Sequence, residues 1–152
     1  MTLPIRFRTE LLRKHPDLPV FIRIPGEVVA PWQLTEWKTV EGTLSGHDFG
    51  RRAIKDWGKD RPDWFVEFLK PFLEAANLKP GDAVDVELRL ADMTMPPEMA
   101  GRMVSDADFA RAYEALIPNH QRKAIEHYLE AKTPAGRTAR LEKIARIIKA
   151  PL

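Results

Sequence analysis

The side chains with the most to offer chemically are four histidines, four tryptophans and an uneven scatter of cations. His47 and Asp48 are adjacent, and on a strand successive side chains point to opposite faces, so they form no dyad. His120 and His127 lie seven positions apart, two turns of one expected helix, whereas a shared metal asks for an i, i+4 pair. His15 stands beside Pro16 in a charged stretch. The chain has no His-Glu-x-x-His, no Gly-x-Ser-x-Gly and no Gly-rich phosphate loop. Cysteine is absent, which removes disulfides and thiolate metal sites. These residues predict a protein that is not an enzyme and holds no metal or cofactor. An active site would have to be assembled from residues distant in the sequence.

Binding is the more promising chemistry. Trp57 sits in a polar stretch close to Arg51, Arg52 and Lys55. An indole offers a broad apolar face with one N–H, and cations beside it would recruit negative charge. This pattern predicts a groove for a small anionic ligand or a protein partner; the competing reading is a tryptophan lid over the end of a barrel. Lys132, Arg137 and Arg140 surround a Thr133-Pro134-Ala135-Gly136 break. Guanidinium groups so placed suit phosphate or an acidic protein surface. The competing reading pairs them with Glu126, Glu130 and Glu142.

The elements that must position these groups follow from periodicity. Ile5, Phe7 and Leu11 fall on one side of a first strand, and Val20, Ile22 and Ile24 repeat the pattern up to Pro25-Gly26. A third strand covers Trp37 to Leu44, and Ser45-Gly46 turns it into a hairpin with His47-Asp48-Phe49. Lys55 to Asp63, interrupted by Gly58 and Pro62, reads as an exposed loop. Trp64 to Leu69 is apolar on both faces except for Glu67, as expected of a barrel strand covered on both sides, with Trp64 in the core.

Pro71 to Ala76 reads as a short helix closed by a left-handed Asn77, with Leu78 packing back on it. Lys79-Pro80-Gly81-Asp82 has a type II turn signature and leads into Val84, Val86, Leu88 and Leu90, the clearest strand in the chain. Asp92 to Val104 holds Pro96, Pro97, Gly101 and four of the five methionines, and reads as a linker whose methionines dock on apolar surface. Helices follow. Ser105 with Asp108 makes a cap-like start, and Phe109, Ala112, Tyr113 and Leu116 line one face. Pro118 opens a second helix with Ala124, Ile125, Tyr128 and Leu129 inward, and a last one carries Leu141, Ile144, Ala145 and Ile148. Expected boundaries are 1–92 for the barrel, 93–104 for the linker and 105–152 for the helical domain.

Charge is uneven. Residues 1–95 carry 14 Lys/Arg against 15 Asp/Glu, while residues 96–152 carry 10 against 7, so the excess positive charge lies in the helical tail. No apolar run approaches the ~18 residues a membrane span needs. The first residues lack the apolar stretch of a secretory leader, so the expected location is the cytoplasm.

The two halves also resemble known families. Residues 7–90 resemble the small β-barrels of unknown function that often precede the YdeI/OmpD-associated domain. The matching features are Ile24-Pro25, the run Val40-Glu41-Gly42-Thr43-Leu44-Ser45-Gly46-His47-Asp48-Phe49, Lys70-Pro71-Phe72-Leu73, and Leu78-Lys79-Pro80-Gly81-Asp82-Ala83-Val84. Asp106 to Ile148 resembles the YdeI/OmpD-associated, or bacteriocin-protection, domain. It does so through Tyr113 and Leu116, Gln121-Arg122-Lys123, and Ala131-Lys132-Thr133-Pro134 with Arg137 and Arg140. Gly136 and Ala139 depart from the family's clustered arginines.

The resemblance implies an α+β chain: a small split β-barrel similar to the AbrB-like swapped-hairpin type, followed by a C-terminal bundle of short helices. It implies no established enzymatic activity and a loose link to bacterial stress or bacteriocin-protection physiology. Two functions are therefore expected to compete. One is a non-enzymatic binding or interaction module with a protein partner or a small anionic ligand. The other is a nucleic-acid-binding protein, disfavoured by the near-neutral barrel half, because affinity for DNA comes largely from phosphate neutralisation. Oligomeric state is left open.

Overall fold

A computed structural model describes residues 3–58 and 60–150. The chain divides between Ala91 and Asp92 into two compact units.

The first unit is a sheet that nearly closes on itself. Its strands are β1 (Ile5–Glu10), β2 (Val20–Ile24), β3 (Lys38–Leu44), β4 (His47–Asp48), β5 (Arg52–Asp56), β6 (Trp64–Phe68) and β7 (Ala83–Leu90). Their spatial order is β1-β7-β3-β5-β6-β2, every ladder is antiparallel, and β4 pairs off this path with β3. The ring is joined just beyond β1, where Leu12 and Phe21 exchange two N–H···O bonds of 2.9 Å. This bridge brings the two end strands of the sheet, β1 and β2, together at one point. Leu11, Ile22, Ile24, Val40, Ile54 and Val66 are wholly buried inside. A short helix α1 (Gly26–Val29), a 3-10 turn (Ala30–Trp32) and helix α2 (Lys70–Ala76) complete the unit.

Several local expectations hold for visible reasons. Ser45 and Gly46 both take positive φ, 46° and 85°, the type I′ geometry whose twist matches the flanking strands. Asn77 closes α2 at φ 56°, ψ 45°, and the Leu78 amide donates back to the Leu73 carbonyl at 2.9 Å. The Lys79–Asp82 turn has φ 95° at Gly81 and is clamped to the end of β1: Gly81 N–H donates to Leu11 O, and Leu11 N–H to Asp82 O. At Gly42 the two central strands approach so closely that a Cβ would lie 1.9 Å from the Glu87 carbonyl oxygen.

Two expectations for this unit need correction. The stretch that reads as an exposed loop from Lys55 begins inside strand β5, which spans Arg52–Asp56 with Ile54 wholly buried. A five-residue strand with one apolar inward residue has too little pattern to register. Strand β6 is not apolar-covered on both faces. Val66 and Phe68 are buried within, while Phe65 and Glu67 are half-buried on the outer face, and Trp64 is half-buried against the core.

The second unit is helical: α3 (Pro97–Ser105), α4 (Ala107–Glu114), α5 (Pro118–Glu130) and α6 (Pro134–Lys149). Here too the structure corrects the sequence. Most of the stretch expected to be a linker is helix α3, whose Met99 is wholly buried. Met93, Met95 and Met103 pack on the same helical core, as their adaptable side chains allow. The cap of α4 is Asp106, not Ser105, which ends α3; the Asp106 carboxylate accepts from Phe109 N–H at 3.1 Å. Thr133 caps α6 through Gly136 N–H, so the Thr-Pro-Ala-Gly break is itself a helix start. Phe109, Tyr113, Ile125, Tyr128, Leu141 and Ile144 form the core.

Candidate functional site

The outer face of the barrel carries a groove of about 220 Å³. Phe21 of β2, Phe65 of β6 and Trp57, which directly follows β5, form its aromatic floor. Strand register brings them together: β2 and β6 pair with Phe21 opposite Glu67 and Arg23 opposite Phe65, and β5 pairs with β6 so that Asp56 faces Trp64. Ring centroids lie 5.5 Å apart for Phe21–Trp57, 5.6 Å for Trp57–Phe65 and 6.2 Å for Phe21–Phe65, with the two phenylalanines and the Trp57–Phe65 pair edge-to-face. Such arrangements are attractive beyond simple burial.

The segment between β1 and β2 forms the wall. Lys14 sets its ammonium 4.6 Å from the Trp57 ring centroid, and Leu18 and Pro19 complete the side. Arg13 ties this segment together by donating to the carbonyls of Leu18 and Pro16. The loop after Trp57 is tied as well. Trp57 N–H donates to Asp63 O at 2.9 Å, and the Asp63 carboxylate accepts from Gly26 N–H and Arg23. The Gly26 amide, with Arg23 behind it, holds the Asp63 carboxyl below the usual carboxylate range.

The cations expected around Trp57 have other partners. Arg51 pairs with Glu41 of β3 at 2.9 Å. Arg52 donates to the Glu67 carbonyl oxygen at 2.8 Å, and burial lowers its pKa, with Glu67 opposing. Lys55 pairs with the Glu67 carboxylate at 2.9 Å and lies 5.1 Å from the Trp37 ring. The cation at Trp57 is Lys14, 43 positions away in the chain, where no local pattern points to it.

In the helical unit, Arg137 and Arg140 both reach the end of α5. Arg137 donates to Ala131 O at 2.8 Å and faces the Tyr128 ring; Arg140 donates to His127 O at 2.8 Å and pairs with Glu130. They satisfy carbonyls that a helix C-terminus leaves without intrahelical partners. Lys132 is exposed and does not join them. His47 and His120 are exposed, and Asp48 accepts from Gly50 N–H. Among the described residues no group of three or more His, Asp or Glu is placed to hold a metal ion, and no helix is long and apolar enough to cross a membrane.

Fold and groove together define the class: a small antiparallel barrel with an aromatic outer groove, followed by a helical unit. The chain belongs to a family described as a domain of unknown function (DUF1905), whose model matches residues 7–88. Residues 92–150 match a second family model, described as bacteriocin-protection, YdeI or OmpD-associated. A search of curated proteins finds no match to the chain.

Proposed function

We propose that this protein is a non-enzymatic binding module, and that its barrel groove takes an aromatic or apolar group bearing a negative charge. The single observation behind this reading is the Phe21–Trp57–Phe65 floor with the Lys14 ammonium over it. The rings supply apolar area that gains by leaving water, and the ammonium is the polar group at the wall best able to meet an anion. The other charged group lining the groove, Glu67, is engaged by Lys55. A setting in bacteriocin-protection physiology rests on the description of the second family alone.

Anilinonaphthalene sulfonate, an aromatic sulfonate that fluoresces on leaving water, is a suitable probe, with neutral phenylnaphthylamine as its uncharged counterpart. Trp57→Ala is expected to weaken both by about tenfold, roughly 1.4 kcal/mol. Lys14→Gln is expected to weaken the sulfonate alone. Both variants should keep the parent's circular dichroism spectrum. Unchanged sulfonate affinity in the Trp57 variant would defeat the reading.

Nucleic-acid binding, by an AbrB-like barrel with basic helices, is the alternative. It is favoured by Lys132, Lys143 and Arg146, which form no ion pair among the described residues, and opposed by the capping roles of Arg137 and Arg140. A gel shift across salt concentrations separates the two readings.

A further inference from the structure

The helical unit carries a second groove, of about 270 Å³, between the N-terminal half of α5 and the last turns of α6. Its floor is aliphatic: Leu116, Ile144, Ile147 and Ile148. Ile147 is 62% exposed, and Ile117, next to the groove at the start of α5, is 57% exposed. Isolated exposed apolar residues are ordinary, but Ile147 belongs to the lining of an aliphatic concavity.

Two lysines lie on the helices that form the groove. Lys123 of α5 lines it, and Lys143 stands one turn before Ile147 on α6; neither forms an ion pair among the described residues. Several acids of this unit are committed elsewhere. Glu98 accepts from Tyr128 and Thr138, Asp106 from Lys149 and Arg102, Glu130 from Arg140, and Glu142 from Arg102. Lys123, which lines the groove beside His120, is an uncommitted cation.

We infer that α5 and α6 form a docking groove for an amphipathic helix of a partner protein, with an apolar ridge flanked by Asp or Glu. A concave seam between two helices accepts apolar side chains at i, i+3, i+4 and i+7, and acidic flanks meet Lys123 and Lys143. A second copy of this chain would bring the same lysines against them. Nucleic acid would leave the aliphatic floor without a partner.

The probes are two labelled helical peptides of about 18 residues with identical leucine ridges, one flanked by glutamates and one by lysines. Fluorescence anisotropy against the full chain is expected to show the acidic peptide binding about tenfold tighter than the basic one. Ile147→Asp should weaken the acidic peptide by about tenfold, and Lys123→Glu with Lys143→Glu should invert the preference. Ile147 is mostly exposed, so its variant should retain the parent's circular dichroism. Equal binding of both peptides, binding of neither, or an Ile147 variant that binds as the parent does would overturn the inference. So would a dimer in sedimentation that Ile147→Asp dissociates, which would assign the groove to a second copy. Co-sedimentation with phosphatidylglycerol vesicles without peptide binding would assign it to a lipid surface.

Discussion

At the scale of single residues, Asp106 shows how one carboxylate ties a junction. It accepts from Lys149 at 2.9 Å, from the Phe109 amide at 3.1 Å and from Arg102 at 3.2 Å, so it caps α4 while holding α3 and α6. Lys149 first, and the Phe109 amide next, hold its pKa at about 2. An unfolded aspartate titrates near 3.9, so the folded state favours the ionised form. The stabilisation is therefore fully present above about pH 4 and is lost as the pH falls through about 2. Carboxyl titration by NMR is expected to find the Asp106 midpoint near 2 and to find it raised in Lys149→Ala. A midpoint near 4 in the parent would show that the Lys149 contact does not form in solution.

At the scale of elements, β3 meets β7 at Gly42 with no room for a side chain. Gly42 stands opposite Leu88, and any Cβ there would overlap the Glu87 carbonyl oxygen, which belongs to rigid backbone. Gly42→Ala must push the two strands apart and is expected to cost about 3 kcal/mol, read as a lower denaturation midpoint. Gly46→Ala is the useful contrast. Nothing lies within 4 Å of its Cβ position, so its cost comes from its φ of 85° alone and should be about 1 kcal/mol. Equal losses at the two glycines would mean that crowding between the strands is not what Gly42 relieves.

At the scale of the whole molecule, charge decides which macromolecules can be met. The sequence pI of about 9.0 and net charge of +2 invite a nucleic-acid reading. The structure leaves fewer of those cations free to meet phosphates, because Arg137 and Arg140 are turned into the end of α5 and Arg102 and Lys149 are held by Glu142 and Asp106. A protein neutralising only a few phosphates binds weakly and loses that binding quickly with salt. Gel shifts with duplex DNA are expected to show no retardation at about 150 mM salt. Retention there with a steep salt slope would promote the nucleic-acid reading over the binding module.

The features readable from sequence are those set by neighbours along the chain. The alternation of Val84, Val86 and Leu88, the Ser45-Gly46 turn, the left-handed Asn77 and the apolar stripes of α4, α5 and α6 all depend on φ preferences and side-chain periodicity within a few residues. The candidate site was half visible in the same way. Trp57 stood out as an indole in a polar stretch, while its surroundings did not. Strand β5 exists as a strand because β3 and β6 flank it, and Lys14 reaches Trp57 because barrel closure brings the β1–β2 segment over β6. The arginines of the helical tail gained their role only when α6 folded back along α5 and met its terminal carbonyls. Local sequence determines which face of an element is apolar and where it ends. Register and closure determine which distant side chain meets which, and no spacing along the chain encodes that.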